Sequence, residues 1–325
     1  MTSSRTFKKL VQAFFTATLA MSVISAQALT VSPAKAELTG DPGEAVSGSF
    51  LVINENDSDQ TYYTNVKKFE AQGETGTPNF LPSKEGLPSW ITVQESVVLK
   101  KGERVKVPFT INIPPEAEAG GNFAAIFLST VPPAAGEGEV SVGAELGMLV
   151  LLKVTGTIKE DGGLLSFVIK EGKKVITSIP VEFRYRFANN GSDRVKPEGF
   201  VTITNMVGGE VAKIDANKSA GNVLPKSVRS YDVRYGEIDA PAISAPFMDH
   251  VSFQKNNFAL GMYTATLDIA FGDKSKAVSS VTYFVFPWQL LSVVAVILVI
   301  IILVLMVALK QYNRWIIKQA RAAAK

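Results

Sequence analysis

The sequence contains no cysteine and a single histidine, His250. These absences exclude a Cys–His catalytic pair and zinc sites built from several histidines. A Ser–His–Asp site would have to use His250, yet the chain has no Gly-x-Ser-x-Gly elbow and no glycine-rich phosphate loop. The sequence therefore predicts a protein that is not an enzyme and that holds no cofactor or metal. His250 is interpreted as a loop or interface residue.

One stretch lacks charge entirely. Leu290–Leu309 contains a single polar side chain, Ser292, and 16 of its 20 residues are Leu, Ile or Val. A helix rises ~1.5 Å per residue, so this stretch spans roughly 30 Å, the thickness of the hydrocarbon core of a bilayer. It predicts a transmembrane helix over residues 287–309.

The flanks of the span predict its orientation. The tail, residues 310–325, has five basic residues and no acid, which places it in the cytoplasm by the positive-inside rule. The tail is either a short helix along the inner leaflet or a plain stop-transfer segment. The predicted membrane-interface anchors are Trp288, Lys310, Arg314, Trp315 and Lys318.

The N-terminus has the features of a secretory leader. Residues 1–28 combine a basic start, an apolar run and the small-x-small triplet Ala26-Gln27-Ala28. An uncleaved signal anchor is the competing interpretation. With cleavage, the prediction is a single-pass type I protein of the cell membrane, whose ectodomain is extracellular or faces the cell wall.

The positive net charge comes from the two ends of the chain. Leader and tail hold eight of the 33 basic residues and no acid, which leaves 33 − 8 = 25 basic against 30 acidic residues, or about −5. Such a balance offers no general attraction to phosphate, so nucleic acid is not a predicted partner. An exported protein without disulfides must rely on its core, which is typical of bacterial surface proteins.

The exported part predicts an all-β fold. Short alternating runs separated by Gly, Pro, Asn and Asp indicate strands, and Val105–Ile113 places alternate apolar residues on one face. No helix-length pattern appears before the span. The prediction is two immunoglobulin-like β-sandwich domains in tandem, residues 29–157 and 158–286, followed by one C-terminal transmembrane helix.

An internal correspondence supports two similar domains. Gly121–Leu128 and Gly261–Asp268 share Gly-x-aromatic followed by a strand. Each is followed, after a variable loop, by a final strand, Met148–Val154 in the first domain and Ala277–Val285 in the second.

The first domain also carries a motif order with a known counterpart. The pieces, in order, are Val31-Ser32-Pro33, Glu37-Leu38, Pro42-Gly43-Glu44, Trp90-Ile91, Gly102-Glu103, Ile113-Pro114, Ala117 and Gly120–Ile126. This order resembles the N-terminal domain of bacterial WxL-interacting cell-surface proteins, over roughly residues 29–155. The resemblance implies a peptidoglycan-binding first domain and a second domain that binds a ligand or host protein.

The sequence thus favours a membrane-anchored bacterial surface protein that binds peptidoglycan or another exported surface protein through its sandwiches. The alternative is a structural or accessory subunit of a membrane or surface-assembly complex, with a chaperone-like sandwich. Phe80 and Trp90 are the candidate ligand contacts, because aromatic side chains on loops stack on sugars. For Trp90 the sequence favours a core position instead, because Ile91 and Val93 continue a strand. The oligomeric state is left open.

Overall fold

A computed structural model describes residues 29–132, 145–272 and 275–323. The predicted leader, residues 1–28, lies outside these ranges. The described chain divides into two compact units. The first comprises residues up to 69, 80–118 and 122–155, and the second comprises 70–79, 119–121 and 156 onward.

The first unit is a β-sandwich. Its elements are β1 (Leu29–Ser32), β2 (Lys35–Gly40), β3 (Ala45–Asn54), β4 (Gln60–Gln72), β5 (Thr77–Leu81), α1 (Leu87–Trp90), β6 (Ile91–Val93), β7 (Ser96–Leu99), β8 (Arg104–Asn112), β9 (Gly120–Ser129) and β10 (Glu145–Val154). The ends of β4, β5 and β9 fall within the residue ranges of the second unit. One sheet has the order β1-β3-β8-β6, and the other has the order β2-β10-β9-β4-β5, with β7 also on β4. Val107, Phe109 and Ile111 are buried, which confirms the alternation predicted for β8.

The second unit is also a β-sandwich. Its elements are β11 (Gly162–Ile169), β12 (Val175–Ile176), β13 (Val181–Asn189), β14 (Glu198–Asn205), β15 (Glu210–Asp215), β16 (Ser227–Tyr235), α2 (Phe247–Asn256), β17 (Gly261–Phe271), β18 (Ser275–Val285) and α3 (Trp288–Ala323). The sheets have the orders β11-β13-β16 and β12-β18-β17-β14-β15. Phe183, Tyr185 and Phe187 of β13 are completely buried, because they alternate on the face that meets the other sheet.

The two sandwiches share a topology. In the first, β1 pairs antiparallel with β3, and β2 then crosses to the other sheet and pairs parallel with β10. In the second, β11 pairs antiparallel with β13 and β12 pairs parallel with β18. The predicted fold class, two immunoglobulin-like sandwiches followed by an apolar C-terminal helix, is confirmed.

A buried asparagine ends the equivalent strand of each sandwich. Asn54 ends β3, and its amide donates to the carbonyl oxygens of Ser58 and Leu99 at 2.9 and 3.2 Å. Asn189 ends β13, and its amide donates to Asp193 and Val223 at 2.8 and 2.9 Å. Both side chains are fully buried, and each supplies donors to carbonyls of the following turn and of a distant segment.

The second unit contains a ten-residue helix before the span, and the prediction that no such helix precedes the span was wrong. Residues 247–256 form α2, whose first turn holds Asp249 and whose last turn holds Lys255. His250 therefore lies on a helix and not in a loop. The helix was missed because only Val251 and Gln254 are buried, and one apolar and one amide side chain give no apolar stripe.

α3 is a single apolar helix. Residues 288–317 have a mean hydropathy of 3.6 in their most apolar window, which is 0% buried, so this helix is long and apolar enough to cross a membrane. The basic tail continues the same helix to Ala323. It does not form the separate short helix that was one of the two predictions for the tail.

Candidate functional site

The two predicted ligand contacts both pack against their own sandwich. Phe80 lies on β5, with its ring edge-on to Phe127 at 4.8 Å between centroids and 6.1 Å from Phe69. Its side chain is 38% exposed. Trp90 ends α1, partly buried against the core.

An open strand edge lies at the start of β10. Its partner β2 begins opposite Leu149, with Lys35. The chain before that point forms β1, which lies close to β10 but pairs with β3 in the other sheet. Among the described residues, no strand hydrogen-bonds to Glu145–Met148 on the side that β2 occupies further along.

The parity of the backbone hydrogen bonds identifies the groups that face this edge. The N–H groups of Leu149 and Thr155 donate to Ala34 and Gly40, both from the β2 side. Hydrogen-bonding direction alternates along a strand, so Glu145 and Gly147 point their N–H and C=O groups the same way. Within the described ranges no strand pairs with these groups, so they can serve as a short template for an added strand.

The side chains along this edge are apolar where they meet the core. Met148, Val150, Leu152 and Val154 are completely buried and alternate along β10. Leu146 continues this alternation on the same face, yet it is 41% exposed. The end of the core face is therefore uncovered at Leu146, beside the open backbone edge.

The second sandwich has a longer but more polar open edge. β12 covers only Phe284 and Val285 of β18, so Ser275–Tyr283 has no strand partner on that side among the described residues. Its side chains include Ser279, Ser280 and Thr282. Such an edge lacks the uncovered core position that Leu146 provides in the first sandwich.

Charged side chains cover the outer face of the three-stranded sheet. Arg184 binds Asp232 through Nε and Nη2 at 2.7 and 2.9 Å, and Lys170 bridges Asp232 and Glu182 at 3.0 and 2.8 Å. The hydrogen bond from Arg184, together with Lys170, lowers the pKa of Asp232 to about 2. These groups are solvated and paired with one another, which indicates a structural role.

A cavity of about 740 Å³ opens in the second unit. Its lining includes Ile176, Arg234, Ile243, Phe247, His250 and Trp288. Arg234 also binds Asp239 at 2.5 Å. In the described part of the chain no three His, Asp or Glu side chains are grouped so that they could hold a metal ion.

The predicted membrane anchors all fall on α3. Trp288 begins the helix and is 46% exposed, with its ring 6.0 Å from that of Phe247. Lys310 and Arg314 are exposed, and Trp315 stacks on Tyr312 at 6.3 Å. Lys318 lies within the helix, but its side chain is outside the described part of the structure.

Sequence reasoning missed the edge at Leu146. Its signal is the period-two run Leu146, Met148, Val150, Leu152 and Val154. The final strand of the first domain was predicted to begin at Met148, two residues too late to include the uncovered position.

Comparison with known proteins finds no matching family model and no matching curated protein. Among solved structures, the class 5 fimbriae chaperone CfaA is 13% identical, with a TM-score of 0.38, over 78% of this chain and 98% of that chain. The E. coli chaperone DraB is 10% identical, with a TM-score of 0.33, over 77% and 98%. The structure of Salmonella enterica SafA pilin in complex with the SafB chaperone is 9% identical, with a TM-score of 0.32, over 80% of this chain and 98% of that chain. This chain is similar to them in sandwich fold.

Proposed function

We propose that the protein is an exported, membrane-anchored binding protein whose first sandwich takes up an extended segment of another exported protein. The segment adds to the open edge of β10 beside Glu145 and Gly147. The observation that supports this most directly is the exposed apolar side chain of Leu146, next to backbone groups with which no described strand pairs on the β2 side. Main-chain hydrogen bonds then give affinity, and an apolar side chain inserted at Leu146 gives specificity.

The proposal includes the topology predicted from the sequence. The leader is removed, the sandwiches lie outside the cytoplasmic membrane, and α3 holds them there with its basic end inside. No catalytic step is assigned. Peptidoglycan binding, implied by the resemblance to WxL-interacting proteins, stays a prediction. The packed positions of Phe80 and Trp90 favour a protein partner over a sugar polymer.

A finer form of the proposal makes the partner a surface subunit awaiting assembly, which is the chaperone-like alternative. In that form the bound segment leaves β10 when the subunit is incorporated elsewhere. In this form the partner is released after binding, whereas in a permanent complex it stays bound to β10.

The test is a backbone substitution with a matched control. Glu145→Pro removes the N–H that the parity assigns to the open edge. It also removes the ion pair with Lys67 (2.6 Å), so Glu145→Gln serves as the control, because it loses the charge and keeps the N–H. We expect affinity purification of the full-length protein from its native membranes to recover the partner with the wild type and with Glu145→Gln. With Glu145→Pro we expect at least tenfold less. Equal recovery with all three proteins would reject edge binding.

A further inference from the structure

The strand register of the second unit places several loops at the end where the span begins. β18 ends at Val285, and α3 starts at Trp288. Gly261 is paired with Val285, so the chain before β17 lies at this end. Asn205 is paired with Tyr263, so the turn after β14 lies there too.

This end exposes many large apolar side chains. Val207 is 85% exposed, Met248 59%, Phe258 59% and Ile243 100%. Large exposed fractions also occur at Met206, Phe247, Leu260, Met262, Phe284, Phe286 and Trp288. So many exposed apolar side chains at one end of a sandwich form a large apolar patch, which is typical of an interaction site. We call this set the membrane-proximal surface.

Side-chain contacts fix α2 at the level of the first turn of the span. Gln254 is almost fully buried, and its Nε2 donates to the carbonyl of Thr177 at 3.2 Å and to Oε1 of Gln289 at 2.5 Å. Its Oε1 accepts the N–H of Leu290 at 3.0 Å, one of the N–H groups that the first helical turn leaves unpaired. α2 and α3 are therefore joined by hydrogen bonds where the apolar helix begins.

The aromatic contact between Phe247 and Trp288 also places α2 at the level of the first turn of the span. The two rings meet edge-on at 6.0 Å, and both are partly exposed. Trp at the start of a span lies at headgroup level. Phe247 and the neighbouring Met248 therefore lie at headgroup level with it.

We infer that the membrane-proximal surface is inserted into the outer headgroup and acyl boundary of the bilayer that α3 crosses. The second sandwich then rests on the lipid by its loops and α2, in addition to its anchor. The surface is continuous with the span, and its exposed side chains are large and apolar, like the Trp, Phe and Leu side chains that interfacial helices bury by about 5–10 Å. This inference rests on the proposed membrane span.

The absence of cysteine from the chain allows a direct test. Single-cysteine variants Val207→Cys, Met248→Cys and Phe258→Cys of the full-length protein are spin-labelled and reconstituted into phosphatidylcholine–phosphatidylglycerol bilayers. Collision rates with oxygen, which concentrates in lipid, are compared with those of a water-soluble nickel chelate. We expect oxygen to dominate at all three positions.

Val278→Cys is the matched control. Val278 is 65% exposed on β18, seven residues before Val285, and therefore roughly 24 Å further from the span at ~3.4 Å per residue. We expect the nickel chelate to dominate there. If the three test positions behave like Val278, the inference is wrong. Low collision rates with both reagents would also overturn it, because they would mean that protein covers the surface.

Ile300→Cys separates failure of this inference from failure of the span. Ile300 lies in the middle of the apolar part of α3. Oxygen dominance at Ile300 with chelate dominance at the three test positions would leave the span intact and reject the lipid contact. Chelate dominance at Ile300 would reject both.

Discussion

Replacement of Asn189 by alanine is expected to destabilise the second sandwich strongly. The buried Asn189 side chain donates two hydrogen bonds, to the carbonyls of Asp193 and Val223, and accepts a third from the N–H of Gly191 at 2.9 Å. A buried hydrogen bond contributes a net ~0.5–1.5 kcal/mol, so the loss of three lowers the free energy of unfolding by about 1.5–4.5 kcal/mol.

The assay is hydrogen exchange of the full-length protein in lipid nanodiscs, read by mass spectrometry. Exchange is resolved by segment, so the stability of the second unit is read without assuming that the whole chain unfolds in one step. The slowest amides of β13 and β17 are expected to exchange about 10- to 1,000-fold faster in Asn189→Ala, since ~1.4 kcal/mol corresponds to a factor of ten.

Asn190→Ala is the matched control. The Asn190 side chain is exposed, and its backbone N–H, which donates to Asp161 at 2.7 Å, is kept by alanine. A surface change of this kind stays within about 0.5 kcal/mol. If Asn189→Ala accelerated exchange no more than Asn190→Ala, the buried asparagine would not be a structural determinant of the sandwich.

The pKa of Asp232 in the folded protein, about 2, lies below its usual value, so its carboxylate stabilises the second unit fully above about pH 4 and loses this contribution as the pH falls towards 2. Wild type should therefore lose more stability than Asp232→Asn over that interval in acid unfolding, and equal losses would contradict the assignment. Gln254→Ala should accelerate hydrogen exchange in α2 at least tenfold by removing three hydrogen bonds, whereas the exposed Ser252→Ala should not. In intact cells an impermeant maleimide should label Val98→Cys and not Gln319→Cys, and the reverse pattern would refute the orientation.

The strands were predictable where one face of a strand is buried. In β8 the alternation of Val107, Phe109 and Ile111 with polar residues indicates which side chains face the core. The long charge-free run of α3 also predicts its structure, because an uninterrupted apolar stretch of this length is typical of a helix and not of a strand. Local sequence therefore gives the fold class.

The features missed from the sequence depend on distant pairing. β12 is only two residues long and exists because Val175 and Ile176 lie beside Phe284 and Val285, more than 100 residues away. α2 has a weak pattern because it is held by the amide of Gln254 and not by an apolar stripe. The exposure of Leu146 depends on where β2 begins to pair, which no local pattern records.

The buried asparagines are visible as a sequence pattern, but their role depends on distant contacts. Phe50-Leu-Val-Ile-Asn54 and Tyr185-Arg-Phe-Ala-Asn189 share an aromatic, a second buried apolar residue and a terminal asparagine at the same spacing. The repeat is visible in the sequence. The structural role of these asparagines is seen only in the structure, where each side-chain amide donates hydrogen bonds to two or more carbonyl oxygens of its own sandwich.

The most direct test of the proposed function is photo-crosslinking in intact cells with a benzophenone amino acid at position 146 of the full-length protein. The control position is Val98 on β7 of the same unit, which is 69% exposed and lies away from the open edge of β10. We predict that position 146 crosslinks to an exported protein, that position 98 does not, and that Glu145→Pro abolishes the crosslink. Equal crosslinking at both positions, or none at position 146, would contradict the account.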